Sequence, residues 1–395
     1  MIAVTGIGII SALGKGADVT YEALLNKKSG IGCLHYLQTD HIDIPCAEVP
    51  MSDEEMKKLL NLSPELPLTR TSLMGMIAAK EALVSAKLHA FNGKRVAFIN
   101  GTTVGGMEKS EEYYLDFLEN DSHNVFIAEH DCGACTERIA DYSGDFSFVT
   151  TLSTACSSAA NAVILGANLI KNGLIDIALV GGSECITKFH LNGFRTLMIL
   201  DPNPCRPFDE TRAGLNLGEG AGYIVIESEA SCKGRGVEPI CTLAGYGNAC
   251  DAFHQTASSE DGKGAFLAMQ EALNMSGLQP SDIDYINAHG TGTTNNDASE
   301  GIAIARLFGD SIPCVSSTKS ATGHTTSASG GIESVISILA LQHQFIPANL
   351  NFKTPMPELP FSPSAECLTN RAMEHVLSNS FGFGGNNSTL IFSKL

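Results

Sequence analysis

The chain lays out one plan twice. A short apolar run, Ile2-Ala3-Val4, leads into Thr5-Gly6-Ile7-Gly8, and the run at residues 240–244 leads in the same way into Gly245-Tyr246-Gly247. After each start, strand-like runs alternate with amphipathic helical stretches. Residues 71–83 and 158–171 read as helices, and residues 95–100, 146–152 and 175–180 as strands. In the second part, residues 264–275 and 332–343 read as helices, and 283–287, 312–315 and 388–393 as strands. Apolar strands alternating with helices indicate an α/β protein with buried strands. A further echo links Thr154-Ala155-Cys156-Ser157-Ser158, which opens one helix, with Thr322-Gly323-His324-Thr325-Thr326, which opens another. These repeats predict two similar α/β halves packed together, residues 1–232 and 233–395. The seam is expected in the polar stretch 231–236. Residues 106–144 are polar, aromatic and less regular, and are expected to form a cap inserted over the first half.

Composition excludes several classes. The 395 residues suffice for two domains, and 44% hydrophobic content supports a sizeable core. A net charge of −18 argues against binding nucleic acid or an anionic membrane. No apolar stretch is long enough to span a bilayer. The twelve cysteines follow no even framework of short spacings, and no leader is expected ahead of the first glycine turn. Reduced thiols in a cytoplasmic enzyme are therefore expected.

Four stretches carry chemistry. Cys156 lies where a strand-like run gives way to a helix. There, unpaired N–H groups and the helix dipole are expected to lower its pKa and to stabilise an oxyanion; the alternative is a small buried cysteine in a serine-rich cap. His289, in Asn287-Ala288-His289-Gly290-Thr291-Gly292-Thr293, sits on a turn that a ligand could approach. Lys319 and His324 lie in a small, hydroxyl-rich segment where a long charged side chain needs a partner, with Glu300 and Glu333 as candidates. Finally, Asn379-Ser380-Phe381-Gly382-Phe383-Gly384-Gly385-Asn386-Asn387 holds three glycines, which indicates positive φ or a close backbone approach, with two phenylalanines placed to swing as a gate.

In this order and at these separations, the stretches resemble the β-ketoacyl synthase family, and most of all its elongating members of type II fatty-acid and polyketide systems. Arg206-Pro207-Phe208-Asp209, Leu217-Gly218-Glu219-Gly220-Ala221-Gly222 and Asp251-Ala252-Phe253-His254 extend the resemblance over nearly the whole chain. It implies a thiolase-like fold of two duplicated α/β halves in five α-β-α-β-α layers. It also implies roles for single residues. Cys156 takes the acyl group, and the amides of Cys156 and Phe383 form the oxyanion hole. His289 and His324, as neutral N–H donors, stabilise the enolate left when malonyl-carrier protein loses carbon dioxide. Lys319, with Glu300 as acidic partner, orders the site, and Glu333 has a supporting or cation-binding role. Thr291 and Thr293 hydrogen-bond the phosphopantetheine arm, Phe383 is the gate, and Val104 lines the end of the acyl pocket.

The resemblance further implies no organic cofactor, since phosphopantetheine arrives on the acyl carrier protein, with room for a structural monovalent cation. It implies a homodimer whose acyl pocket ends near the interface, beneath the cap. Lys57, Lys58, Arg70 and Arg206 are candidates for carrier docking. The chain departs from the family at Ala213-Gly214-Leu215-Asn216, where an acidic-glycine-phenylalanine run is usual, and at Thr294-Asn295-Asn296-Asp297. The first departure flanks the family's acyl tunnel and leaves room for a specialised chain, unsaturated or aryl-primed. A CoA-dependent thiolase would need a second cysteine in the closing turn, which has none, and a non-catalytic chain-length partner would lack the nucleophile. Cys132-Gly133-Ala134-Cys135 has no second pair at zinc spacing and reads as incidental. The Gly-x-Gly near the start lacks the third glycine of a dinucleotide fingerprint, so no metal or nucleotide site is expected.

Overall fold

The computed structural model describes residues 1–91 and 93–395. Its strands are β1 (Ile2–Ser11), β2 (Gly14–Lys15), β3 (Val96–Gly101), β4 (Phe148–Leu152), β5 (Ile177–Glu184) and β6 (Gly220–Ser228), then β7 (Cys241–Cys250), β8 (Tyr285–Asn287), β9 (Cys314–Ser316), β10 (His375–Gly382) and β11 (Asn386–Ser393). They run in the order β4-β3-β5-β6-β1-β7-β11-β10-β8-β9, with the short β2 paired to β1. The two halves meet at β1 and β7, where Ala3 faces Thr242 and Val4 faces Cys241.

Outward from that join the topologies are identical. β1/β6 and β6/β5 are antiparallel, while β5/β3 and β3/β4 are parallel. On the other side β7/β11 and β11/β10 are antiparallel, while β10/β8 and β8/β9 are parallel. The duplication expected from the two glycine turns is thus a duplication of topology.

Every residue of β3 and of β5 is buried, as suits strands covered on both faces. The Arg70–Ser85 helix, capped by the Thr69 hydroxyl, covers the first half-sheet, and the Lys263–Ser276 helix covers the second. Between the half-sheets lie the Ser158–Lys171 and Ser329–His343 helices, which follow β4 and β9. The second of these is buried from Ser329 through Leu341 because it packs on strands of both halves. A Cβ on Gly330 would lie 2.7 Å from the Ala160 nitrogen, so the crossing of the central helices requires glycine there. The result is the five-layer, thiolase-like arrangement, with one core cluster drawing on both halves.

Two regions differ from expectation. The cap is not irregular: it forms the Met107–Phe117, Asn124–Ala128 and Cys132–Ser143 helices. Its inward face is narrow, only Cys135, Thr136, Ile139 and Ala140 being buried in the third helix, so its composition reads as polar. Asp131 caps that helix by accepting the Gly133 N–H at 2.6 Å. The stretch expected as a seam is also helical, Glu229–Arg235, and Arg235 reaches back to Glu227 at 2.9 Å. Cys132 and Cys135 lie within one cap helix, and all twelve cysteines are free thiols. Among the described residues no helix is long and apolar enough to cross a membrane, and no three His, Cys, Asp or Glu side chains group as metal ligands.

Candidate active site

After β4 the chain turns sharply through Thr154 and Ala155. Ala155 has φ of 52°, a left-handed conformation that costs free energy for a residue with a Cβ. The turn is held by the Ser158 hydroxyl, which accepts the Thr154 N–H at 2.9 Å and donates to the Ala155 carbonyl at 2.6 Å. This elbow aims Cys156 inward, and its sulfur lies 3.1 Å from His324 Nε2.

The thiol does not have the lowered pKa expected at a helix start. Burial pushes it up to about 11, against the pull of the Lys319 ammonium and of the Phe383 and Cys156 N–H groups. Desolvation of the thiolate outweighs the favourable dipoles, so the resting group is a neutral thiol.

His289 lies just past β8. Its N–H and that of Gly290 donate to the two oxygens of Glu300 at 2.8 and 2.7 Å, and Asn379 donates to the same carboxylate at 3.0 Å. Glu300 therefore fixes the histidine turn and is not the partner of Lys319. That partner is Glu333, whose Oε1 contacts Lys319 Nζ in a fully buried pair. Burial holds the Glu333 carboxyl up at about 7 even beside this ammonium. Lys319 also lies 3.2 Å from His289 Nδ1. An ammonium only donates, so Nδ1 accepts and the neutral ring carries its proton on Nε2.

His324 donates its backbone N–H to the Asn216 carbonyl at 2.7 Å, and its Nδ1 lies 3.0 Å from the Ser329 hydroxyl. Burial, then the Lys319 charge, holds both imidazoles well below the usual histidine range. The rings stand perpendicular, 5.3 Å apart.

These groups open onto a cavity of about 220 Å³. Cys156, His289, His324, Phe381 and Phe383 line it together with Thr291 and Thr293, whose hydroxyls lie 2.9 Å apart. Leu215, from the segment that departs from the family, and Phe194 supply apolar wall. The closing turn is built for close approach: Gly385 has φ of 77°, and a Cβ there would lie 2.1 Å from Asp251 Oδ1.

Other candidates lie elsewhere. Val104 does not line this cavity; it is buried in the core beneath the cap, with its N–H on Glu184 at 3.1 Å. Arg70 cannot meet a carrier. It is buried, with Nη2 2.6 Å from Glu219 and Nη1 2.9 Å from Asp53. Arg206 is paired with Asp201 at 3.0 Å, Lys57 donates to the Pro64 carbonyl at 2.7 Å, and Lys58 is exposed.

The sequence did not single out Glu184, which accepts from Thr102, Thr103, Val104 and Ser327 and so ties the cap loop to the loop after His324. Nor did it give a role to Asp297, which accepts the N–H groups of Phe208 and Gly292, or to Phe194. Asp297 follows Thr293, the helix cap, which is its one local signal.

Known proteins match along the whole chain. The family model described as beta-ketoacyl synthase, N-terminal domain, matches residues 1–231, and that described as its C-terminal domain matches 240–353. The chain is 31% identical to "3-oxoacyl-[acyl-carrier-protein] synthase 2" of Staphylococcus aureus and 33% identical to the protein of that name from Synechocystis. Each match covers 100% of this chain and 98% of the relative. Among solved structures, the ishigamide ketosynthase/chain length factor superposes with a TM-score of 0.92 at 30% identity, covering 100% of this chain and 99% of the other. A beta-ketoacyl synthase from Burkholderia phymatum does so with a TM-score of 0.85 at 27% identity, covering 100% and 99%. A third match, with a TM-score of 0.89, 25% identity and coverage of 100% and 99%, is a type II ketosynthase bound to its acyl-carrier protein. The fold, the elbow cysteine facing a buried histidine pair, and these full-length matches converge: the chain belongs to the β-ketoacyl synthase family.

Proposed function

We propose that this chain is a β-ketoacyl-[acyl-carrier-protein] synthase, an acyltransferase that extends fatty-acid or polyketide-like acyl chains by two carbons. One observation carries the reading: a neutral Cys156 thiol 3.1 Å from His324 Nε2, in the same cavity as a His289 whose tautomer Lys319 fixes.

In the first half-reaction the Cys156 proton passes to His324 Nε2 as sulfur attacks the acyl-carrier thioester. The C–S bond to the carrier breaks, and the departing pantetheine thiol takes that proton. The N–H groups of Cys156 and Phe383, both directed at the sulfur, are placed to hold the oxyanion. In the second half-reaction malonyl-carrier loses carbon dioxide, and its enolate oxygen accepts hydrogen bonds from His289 Nε2–H and His324 Nε2–H. The Ser329 hydroxyl can accept from or donate to Nδ1, which lets His324 act first as acceptor and then as donor. The enolate carbon attacks the acyl thioester, its C–S bond to Cys156 breaks, and the expelled sulfur takes up one proton from solvent water to restore the neutral thiol.

The Thr291 and Thr293 hydroxyls on the cavity wall suit the amides of a phosphopantetheine arm, which the carrier supplies, so the chemistry runs on the chain's own groups. Glu333 would hold a structural monovalent cation, because its buried Oε2 has no hydrogen-bond partner among the described residues. A paired assembly, read here as a homodimer, is supported by edge strand β4, which exposes Phe148 and Val149. The free thiols support a reducing, cytoplasmic setting.

The test is incubation with acyl-carrier protein and then malonyl-carrier protein, with products read by mass spectrometry. The expected result is an acyl adduct on Cys156 followed by a 3-oxoacyl product, both absent in Cys156→Ala. A wild-type protein that takes no adduct from any acyl carrier would refute the reading and favour a non-catalytic partner subunit.

A further inference from the structure

The catalytic cavity shares a wall with a much larger space. An apolar groove of about 1030 Å³ runs beneath the cap, and Phe194 and Phe383 line both it and the catalytic cavity. Because these two rings line both spaces, the pair stands at the junction between the catalytic cavity and the groove. The two rings are stacked, with centroids 5.9 Å apart at 22°. Behind Phe194 stands the buried His190, edge-on at 6.0 Å, and next to it Phe189 at 6.1 Å, on the groove. Burial keeps the His190 imidazole below its usual range, so it acts as a neutral aromatic plane. Glu111 of the cap accepts the N–H groups of Lys188 and Phe189 at 2.9 and 2.7 Å, which pins the start of the helix that carries all three rings.

The walls of the passage are therefore flat and aromatic, whereas Met107, Leu115 and Leu197 line the groove beyond. We propose that Phe194 is a second leaf of the gate with Phe383, and that this aromatic passage makes the enzyme selective for planar, conjugated acyl chains over saturated chains of equal length. The inference rests on the ketosynthase reading above. Its physical basis is twofold. A conjugated chain presents a π-face to Phe194 and Phe383, adding stacking to area burial. It is also already planar and stiff, so threading it through a narrow gate costs little conformational entropy, whereas a saturated chain must freeze several rotors.

The experiment compares kcat/KM for octanoyl-carrier and all-trans octatrienoyl-carrier protein, each with malonyl-carrier protein, in the wild type, Phe194→Leu and Phe194→Tyr. The wild type is expected to prefer the trienoyl chain by about tenfold, the order that ring stacking supplies. Phe194→Leu should bring the ratio to within about twofold of one, and Phe194→Tyr, which keeps the ring, should retain the preference. A wild-type preference for the octanoyl chain, or a ratio unchanged in Phe194→Leu, overturns the proposal while leaving the ketosynthase reading intact. No turnover of either chain by the wild type overturns both.

Discussion

At the scale of single residues, burial decides what each ionisable group does. Cys156 has the backbone donors of an activated thiol, yet exclusion of water from both sides of the elbow raises its pKa to about 11. Only the thiolate is alkylated, so the rate of iodoacetamide labelling at Cys156 should climb about tenfold per pH unit from pH 7 toward 10, followed by peptide mass spectrometry. A plateau near neutrality would show that the dipoles win instead. The two glutamates should also separate by experiment. Glu333→Gln leaves the Lys319 ammonium buried without a counter-charge and should cost about 3–5 kcal/mol in urea unfolding. Glu300→Gln replaces one acceptor of two backbone donors and should cost about 1–3 kcal/mol, with a fall in kcat as the His289 turn loosens. Equal losses would contradict the pairing of Lys319 with Glu333.

At the scale of elements, the site depends on how the two central helices cross. The Ser158–Lys171 helix follows the Cys156 elbow, and the Ser329–His343 helix follows the His324 loop, so their separation sets the sulfur-to-imidazole distance. Gly330 against Ala160 is the contact point. Gly330→Val should therefore push the helices apart, cost about 1–3 kcal/mol by overpacking, and reduce acyl transfer more than substrate binding. Circular dichroism melts and the rate of Cys156 acylation would check both effects. The cap shows the converse relation. Its helices are held by few buried groups, so their pattern was faint in the sequence, and only the third carries a capping side chain, Asp131.

At the scale of the whole molecule, the halves are duplicated but not separable. One core cluster joins Val4, Ala160 and Val163 from the first half to Ile332, Val335 and Ile336 from the second. Neither half buries its central helix alone, because that helix packs on strands of both. Calorimetry should accordingly record one unfolding transition with matching calorimetric and van't Hoff enthalpies. Two resolved transitions would mean that each half folds by itself.

The sequence by itself determined the duplicated α/β plan, the elbow cysteine and the glycine-rich closing turn. These features rest on local periodicity, on a cysteine at a strand–helix junction, and on backbone conformations that only glycine adopts freely. The central histidines were legible for the same reason, since each sits beside its own glycine turn. The tertiary structure alone decided that Lys319 pairs with Glu333 and not Glu300, that Arg70 is locked in an internal ion network, that Val104 lies in the core beneath the cap, and that Phe194 meets Phe383. Each of these is a meeting of residues distant in the chain or a choice between two that local spacing allowed. The protonation state of Cys156 was hidden too, because desolvation is a property of the volume that both halves fill around it.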